Sequence, residues 1–232
     1  SFKTLAVGGE DAGKKMYLIA DSASALGEEF GISTKIIGSN VDTMLKDFQH
    51  FGHLGPKAFS ATAAYAAKLG LEVSSLAGVM DKFDTFDSAA QSVSGLTQAF
   101  GMNVNAFELA MAENPAERID MLRRSFEQTG RSINDLSRRE LKYFAENVGL
   151  SMEEAKNAFS IPVDELGFAD MESAAEDSGK TQEELMEEMN NNIKKMVESS
   201  SNIVADLWGN FKKGFMDAMT YSGPIYDLLS DI

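Results

Sequence analysis

Apolar residues recur along most of the chain at steps of three and four residues, the spacing of one face of an α-helix. The first such run includes Met16, Ile19, Ala23 and Leu26. The same spacing predicts helices at Gly13–Phe30, Val41–Phe51, Pro56–Leu69, Val73–Phe83, Phe86–Phe100, Pro115–Thr129 and Asn134–Val148. We therefore expect an all-α protein whose first part is a bundle of short crossing helices.

Glycine and proline mark where several of these predicted helices end. Gly31 suits the left-handed position that follows a helix, and Gly52–Pro56 contains two glycines and a proline, which cannot continue a regular helix. Asn40 suits the cap of the helix predicted to begin at Val41. In the following helix the residues at 61, 63, 64, 66 and 67 are all alanine, which allows close helix approach.

Capping motifs mark where later helices begin. Asn114–Glu117 combines a cap residue, a proline at the first helical position and a glutamate at the third. Ser137–Glu140 and Ser151–Glu154 both have the spacing of a capping box. The helix that ends at Val148 therefore begins either at Asn134 or just after Ser137.

The pattern divides the chain into three regions. Residues 1–160 form the predicted helical bundle, and residues 161–180 are an acidic connector with a short helix and a loop. Residues 181–232 contain one long amphipathic C-terminal helix, predicted from Thr181 to Tyr221, with Glu184 as the capping-box partner of Thr181. Its apolar positions at 185, 196, 207 and 218 are eleven residues apart, a period that favours a straight or right-handed coil. Its aromatic stripe (Trp208, Phe211, Phe215) needs burial, against the bundle or a partner. We expect this region to serve oligomerisation or to lead into an apolar region.

Composition narrows the class of protein. A net charge of −15 disfavours binding to nucleic acid and to anionic membrane surfaces. There is no cysteine, so disulfides and thiolate metal sites are excluded. The chain has no run of eighteen apolar residues, the pattern that would suggest a membrane span, and no signal peptide is visible. Because the chain begins with Ser1, we expect it to be a segment of a longer protein.

One segment resembles a phosphate-binding loop. Gly8–Lys14 matches the spacing G-x-x-x-x-G-K and follows Leu5–Val7, which could be a short strand. The next residue is Lys15, however, where the chemistry needs a hydroxyl to hold magnesium. Two acidic residues inside the segment would also repel a triphosphate. We interpret it as the start of a helix.

Acidic and histidine residues provide two further candidate sites. Asp81, Asp84 and Asp87 are three residues apart but lack the pattern of a calcium loop, and we expect Asp84 or Asp87 to cap a helix while Phe83 and Phe86 pack in the core. His50 and His53 could share a zinc ion, but no third ligand follows at a recognisable spacing.

Arginines form one positive cluster in this acidic chain: Arg118, Arg123, Arg124, Arg131, Arg138 and Arg139. On solvated helix faces they can pair with neighbouring carboxylates: Glu113, Glu117, Asp120, Glu127 and Asp135. Alternatively, they form a docking patch for an acidic surface, such as another copy's segment from Asp170 to Glu188. Neither interpretation gives these arginines a role in catalysis. We predict no catalytic, cofactor-binding or metal-binding residues, no cofactor and no enzymatic activity.

The order of turns and caps resembles that of the tail tape measure proteins of long-tailed bacteriophages. The resemblance is strongest from Gly55 to Ser160 and is carried by GLEVSSLAGVMDKFDTFDSAAQSVSGLTQAFG, NPAERIDMLRRSF and AENVGLSMEEAKNAF. It implies a structural virion protein that lies in the tail lumen in several copies and acts in tail length determination, tail assembly and genome delivery. The implied partners are other copies of the chain, the tail tube and the baseplate hub. The implied locations are the virion and, during assembly, the host cytoplasm.

The short, broken helices resemble a globular module carried by such a protein more than its extended ruler. The alternative is an acidic all-helical interaction protein, an assembly chaperone or adaptor without catalytic activity. A tape measure protein predicts a much longer parent chain, whereas an adaptor predicts a complete chain of about this size.

Overall fold

A computed structural model describes residues 10–177, and every regular element in that range is helical. A turn of 3-10 helix at Ile133–Asp135 precedes the ninth α-helix. The α-helices are α1 Glu10–Glu29, α2 Thr34–Lys46, α3 Phe48–Phe51, α4 Pro56–Leu69, α5 Val73–Lys82, α6 Phe86–Phe100, α7 Ala106–Met111, α8 Pro115–Gln128, α9 Arg138–Val148, α10 Met152–Ser160 and α11 Phe168–Asp177.

Helix α4 lies at the centre of the bundle, with α1, α2 and α11 packed against it. The side chains of Ala61, Ala63, Ala64 and Ala66 are fully buried. Because each is only a methyl group, the neighbouring helices can approach α4 closely and still fill the interior. The close helix approach expected from the alanine-rich spacing is therefore confirmed.

A cluster of aromatic side chains joins the helices on another side of the core. Phe144 lies edge-on to Phe100 and Phe159, with ring centroids 5.2 and 4.8 Å apart. Phe126 packs against Phe159 in the same geometry at 5.8 Å. These edge-to-face pairs add to the stabilisation from burial. They tie α6, α8, α9 and α10 together.

Most of the predicted helix starts are confirmed. Helices α4 and α6 have the predicted bounds. The Asn114 side chain accepts a hydrogen bond from the backbone N–H of Ala116, as a cap should. Both Ser137 and Ser151 form complete capping boxes. Of the two starts considered for α9, the one after Ser137 is therefore correct and the one at Asn134 is wrong.

The second predicted helix was wrong at its start. Helix α2 begins at Thr34, seven residues before Val41, and passes through Gly38 and Asn40. Asn40 is not a cap: its side-chain N–H donates to the backbone carbonyl of Ala63 in α4 at 3.0 Å. Asp47 then interrupts the helix and caps the single turn α3. Contact with α4 therefore outweighs the weak helix propensity of this stretch.

In residues 161–180, where we expected an acidic connector with a short helix and a loop, the structure has the short helix α11. Helix α11 buries Phe168, Met171 and Ala175 against its neighbours. The long helix predicted from Thr181 and its aromatic stripe lie outside the described residues. Within residues 10–177, no helix is both long and apolar enough to cross a bilayer.

Candidate functional site

Arg123 is the centre of a buried polar network, although sequence reasoning placed it on a solvated face. Its side chain in α8 is among the most buried in the described chain. The guanidinium donates to the backbone carbonyls of Ala158 at 2.8 Å, Leu166 at 2.7 Å and Ile161 at 2.7 Å. It thereby holds the chain segment from α10 to α11 against the core. Ala158 lies in the last turn of α10, where backbone carbonyls lack helical partners, and the planar fork of arginine supplies a donor to it and to the two carbonyls that follow.

The network contains one carboxylate, Asp120, which lies one turn before Arg123 in α8. Its Oδ1 atom accepts hydrogen bonds from the Tyr65 hydroxyl at 2.9 Å and from the backbone N–H of Phe168 at 3.2 Å. Its Oδ2 atom accepts from Nε of the half-exposed Arg124 at 2.7 Å, and this hydrogen bond raises the pKa of Arg124. Asp120 is therefore satisfied by three chain segments. We call Arg123, Asp120, Tyr65 and their partners the arginine network.

Tyr65 connects the network to the central helix α4. Its hydroxyl accepts from Nη1 of Arg123 at 2.7 Å while donating to Asp120. Burial raises the pKa of Tyr65 far above its ordinary value, since the charged phenolate would lose its hydration. The phenol is therefore neutral and acts as a donor and an acceptor, with no capacity for general-base chemistry at neutral pH.

Arg118 is the second buried arginine. Its three nitrogens donate to the carbonyls of Ala112 at 2.7 Å, Met80 at 2.9 Å and Ala110 at 3.1 Å. Burial lowers the pKa of Arg118. Met80 and Ala110 are near the ends of α5 and α7, where carbonyls lack helical partners. Arg118 thus joins two helix ends to α8, and the predicted positive cluster is divided between the interior and the surface.

The two histidines do not share a site. His50 Nδ1 lies 2.7 Å from Asp47, and its Nε2 lies 3.1 Å from Asp81 in α5. His53 Nε2 instead lies 2.9 Å from the backbone carbonyl of Glu113. Desolvation alone would lower the pKa of His50, but the hydrogen bonds to both carboxylates raise it overall. In the described range, no group of three or more metal-ligating side chains is present.

The three aspartates do not form a cluster on one helix either. Asp81 belongs to α5, Asp84 lies between helices, and Asp87 is in the first turn of α6. The predicted cap was wrong: Thr85 caps α6 and accepts from the backbone N–H of Ser88. Phe83 is fully buried as expected, whereas Phe86 is exposed, so that half of the core prediction was wrong.

The segment with phosphate-loop spacing is already helical in its second half. Helix α1 begins at Glu10, three residues earlier than predicted, and includes Gly13 and Lys15. Gly8 and Gly9 lie outside the described residues. The backbone from Glu10 onward therefore follows a helix and cannot wrap around a phosphate as an open loop.

A cleft of about 190 Å³ lies beside the arginine network. Arg123, Phe126, Arg131, Phe159 and Pro162 are among its lining residues. Both arginines are already engaged, since Arg123 binds backbone carbonyls and Arg131 binds Glu140 at 2.9 Å. All buried side-chain nitrogen and oxygen atoms in the described part of the chain have hydrogen-bond partners within the protein. The arrangement is suited to holding segments together.

Sequence reasoning missed Tyr65 and misplaced Arg118 and Arg123 on the surface. It did name Asp120 as a partner of these arginines, and Asp120 pairs with Arg124. The pattern did contain one signal, because Arg123 follows Ile119 by four residues and precedes Phe126 by three. Both neighbours are buried, so the arginine lies on the apolar face of α8. Comparison with protein-family models, with curated proteins and with solved structures finds no match to this chain.

Proposed function

We propose that this chain is a structural, non-catalytic module of a tail tape measure protein of a long-tailed bacteriophage. In this role it acts in tail assembly, tail length determination and genome delivery. Its partners are further copies of itself, the tail tube and the baseplate hub. It belongs to the tail lumen of the virion and, before assembly is complete, to the host cytoplasm.

The observation that carries the proposal is the order of turns and caps from Gly70 to Phe159, which resembles that family. The buried charges support a structural role. Arg118 and Arg123 use their donors on backbone carbonyls inside the bundle, so their chemistry goes into joining helices. A bundle closed in this way fits a globular module within a longer tail protein.

The test is the intact mass of the natural gene product, measured together with its stoichiometry in purified particles. We expect a parent chain much longer than this segment, present in several copies per tail. Peptides from the Pro115–Gln128 helix should be recovered from the particles by mass spectrometry. A separate product of about this size that is absent from particles would contradict the proposal.

Deletion of the bundle from the parent gene provides a second measurement. A fully extended helix would shorten the tail by roughly 1.5 Å per residue removed. A compact bundle should shorten it much less, while lowering the yield of complete tails. Unchanged tail length together with unchanged yield, measured by electron microscopy, would contradict a role in tail assembly.

One observation favours the alternative of an acidic all-helical adaptor or assembly chaperone. Phe107 and Met111, one turn apart on α7, are both exposed. Neighbouring exposed apolar side chains suit contact with a partner protein. The alternative predicts a complete product of about this size that is found outside particles, bound to an assembly intermediate.

A further inference from the structure

Helix α9 presents a basic face to solvent. Arg138, Arg139, Lys142 and Tyr143 are all exposed. Residues four apart on a helix are neighbours, so Arg138 lies beside Lys142 and Arg139 beside Tyr143. We call these four residues the basic face. In a chain of net charge −15, such a concentration of positive charge is unusual.

The positions of the two arginines are unfavourable for helix stability. Ser137 is the cap of α9, so Arg138 and Arg139 are its first two residues. The positive end of the helix dipole repels cations there. Among the described residues, neither arginine has a carboxylate within ion-pair distance, and Lys142 has only the exposed Glu146 at 3.7 Å. The two arginines of the basic face therefore have no ion-pair partner within the described bundle.

A surface of opposite charge, formed by three carboxylates, lies on α8 and α11. Glu117, Glu172 and Glu176 are exposed. Partial burial raises the pKa of Glu172, and repulsion from Glu117 and Glu176 raises it further. Lys57 is an ion-pair partner of Glu176, with its Nζ atom 3.9 Å from the carboxylate, and the buried Arg118 attracts Glu117 electrostatically. We call these three residues the acidic face, and a cationic partner would relieve its repulsion.

The two faces belong to helices packed on different neighbours. Helix α9 packs on α6 and α10, whereas α11 packs on α4 and α1. We propose that the basic face of one copy of this chain binds the acidic face of a second copy. One chain supplies both complementary surfaces, and Arg138, Arg139 and Glu172 have no ion-pair partner among the described residues. The proposal does not depend on the tail assignment, because it concerns the purified chain alone.

The contact joins two different patches and is therefore heterologous. Such contacts generate rings or linear assemblies, since every added copy leaves one face of each kind free unless the ring closes. The charges are solvent-exposed, so each ion pair contributes little and is screened by salt. We therefore expect weak association that depends on protein concentration and weakens as salt increases from about 50 mM to about 500 mM.

The test uses the full 232-residue chain and sedimentation equilibrium. One variant reverses the basic face (Arg138→Glu with Arg139→Glu), and a second reverses the acidic face (Glu172→Lys with Glu176→Lys). Each alone should weaken self-association by about tenfold or more, because like charges then meet at the contact. Mixing the two variants should restore association, since their altered faces are complementary to each other and their unaltered faces remain so.

Controls separate this contact from other causes. The double variant Arg138→Lys with Arg139→Lys keeps the charges and should associate as the wild type does. Neutral variants (Arg138→Gln with Arg139→Gln, Glu172→Gln with Glu176→Gln) replace any reversal variant whose circular dichroism shows loss of helix. They too should weaken association.

Three results would overturn the proposal. The first is a wild type that stays monomeric at millimolar concentration and low salt. The second is self-association that neither reversal changes, which would place the contact elsewhere in the chain. The third is a monomeric wild type that binds a polyglutamate peptide through Arg138 and Arg139, which would assign the basic face to a different acidic protein.

Discussion

The hydroxyl of Tyr65 lies 2.7 Å from Nη1 of Arg123, inside the bundle and 58 residues away in the chain. The same guanidinium reaches three backbone carbonyls between residues 158 and 166. Two helices and a loop therefore depend on one side chain for their polar contacts. Substitution of either residue measures how much stability this arrangement provides.

Replacing Tyr65 with phenylalanine should lower the free energy of unfolding by about 1–3 kcal/mol. The change leaves buried groups of Arg123 and Asp120 without one of their partners, and unsatisfied buried polar groups are costly. Urea titration followed by circular dichroism measures the difference. Tyr143→Phe is the matched control because Tyr143 is exposed, and it should stay within about 0.5 kcal/mol of wild type. Equal effects of the two substitutions would contradict the role given to the Tyr65 hydroxyl.

Replacing Arg123 with methionine should be more damaging, at about 3–5 kcal/mol. The variant keeps much of the side-chain volume but leaves the carbonyls of the 158–166 segment without a donor. Asp120 also loses its contact with Arg123 at 3.4 Å and keeps only Arg124 as a cation. Arg124→Met is the control on the same helix. Arg124 is half-exposed and makes a single ion pair with Asp120, which keeps its hydrogen bonds to Tyr65 and Phe168, so the loss should cost only about 1–2 kcal/mol. If both variants unfold at the same urea concentration, the arginine network is not a major source of stability.

Stability should fall as the pH rises through the titration of His50. Its folded pKa is raised above the ordinary value of 6.5, so the folded state binds the proton more tightly than the unfolded state does. The contribution of His50 to the free energy of unfolding is complete below its pKa in the unfolded state. It is lost as the pH rises past its pKa in the folded state. Urea midpoints measured from about pH 6 to about pH 9 should show this loss.

Removing one carboxylate partner of His50 should reduce that pH dependence. Asp81→Asn eliminates the ion pair at 3.1 Å, whereas Asp84→Asn, three residues further on, serves as the control. Proton NMR of the imidazole should show a lower His50 pKa in Asp81→Asn than in wild type. A wild-type His50 that titrates below a free histidine would contradict the raised pKa.

Replacing Gly101 with alanine should lower the stability of the protein, whereas replacing Gly38 with alanine should raise it. Gly101 follows α6 with φ of +75°, a conformation that costs about 1–2 kcal/mol for a residue with a Cβ atom. Gly38 lies within α2, and a Cβ built there meets nothing within 4 Å. Gly38→Ala should therefore gain about 0.5–1 kcal/mol, because alanine loses less conformational freedom on folding. Thermal unfolding of both variants measures the difference, and a shift of the same sign would be the contrary result.

The helices with correct predicted bounds have local signals at both ends. Helix α4 begins at a proline that follows glycine and ends before Gly70, and α6 ends before Gly101. Both terminal glycines have positive φ. Such signals act over a few residues, so they can be read without knowledge of the tertiary fold.

The second helix was mispredicted because its start depends on distant contacts. Gly38 weakens local helix propensity, and Asn40 looks like a cap. In the folded protein, however, Ile37 is fully buried and Asn40 donates to Ala63. Neither interaction can be inferred from the local pattern.

The arginine network was predictable only in part. The spacing from Ile119 and to Phe126 places Arg123 on an apolar helix face, which indicates burial. Its partners cannot be read in the same way, because Tyr65 precedes it by 58 residues and Leu166 follows it by 43. Only the packing of α4, α8 and the segment before α11 brings them together.

These long separations bear on how the bundle assembles. If α8 packs on α4 before the 158–166 segment has arrived, Arg123 loses water without gaining the carbonyls that replace it. A partly assembled core would therefore contain a desolvated cation, which is costly. The 158–166 segment and the central helices should consequently fold and unfold together. The amide hydrogen of Phe168 should therefore exchange with solvent only in global unfolding.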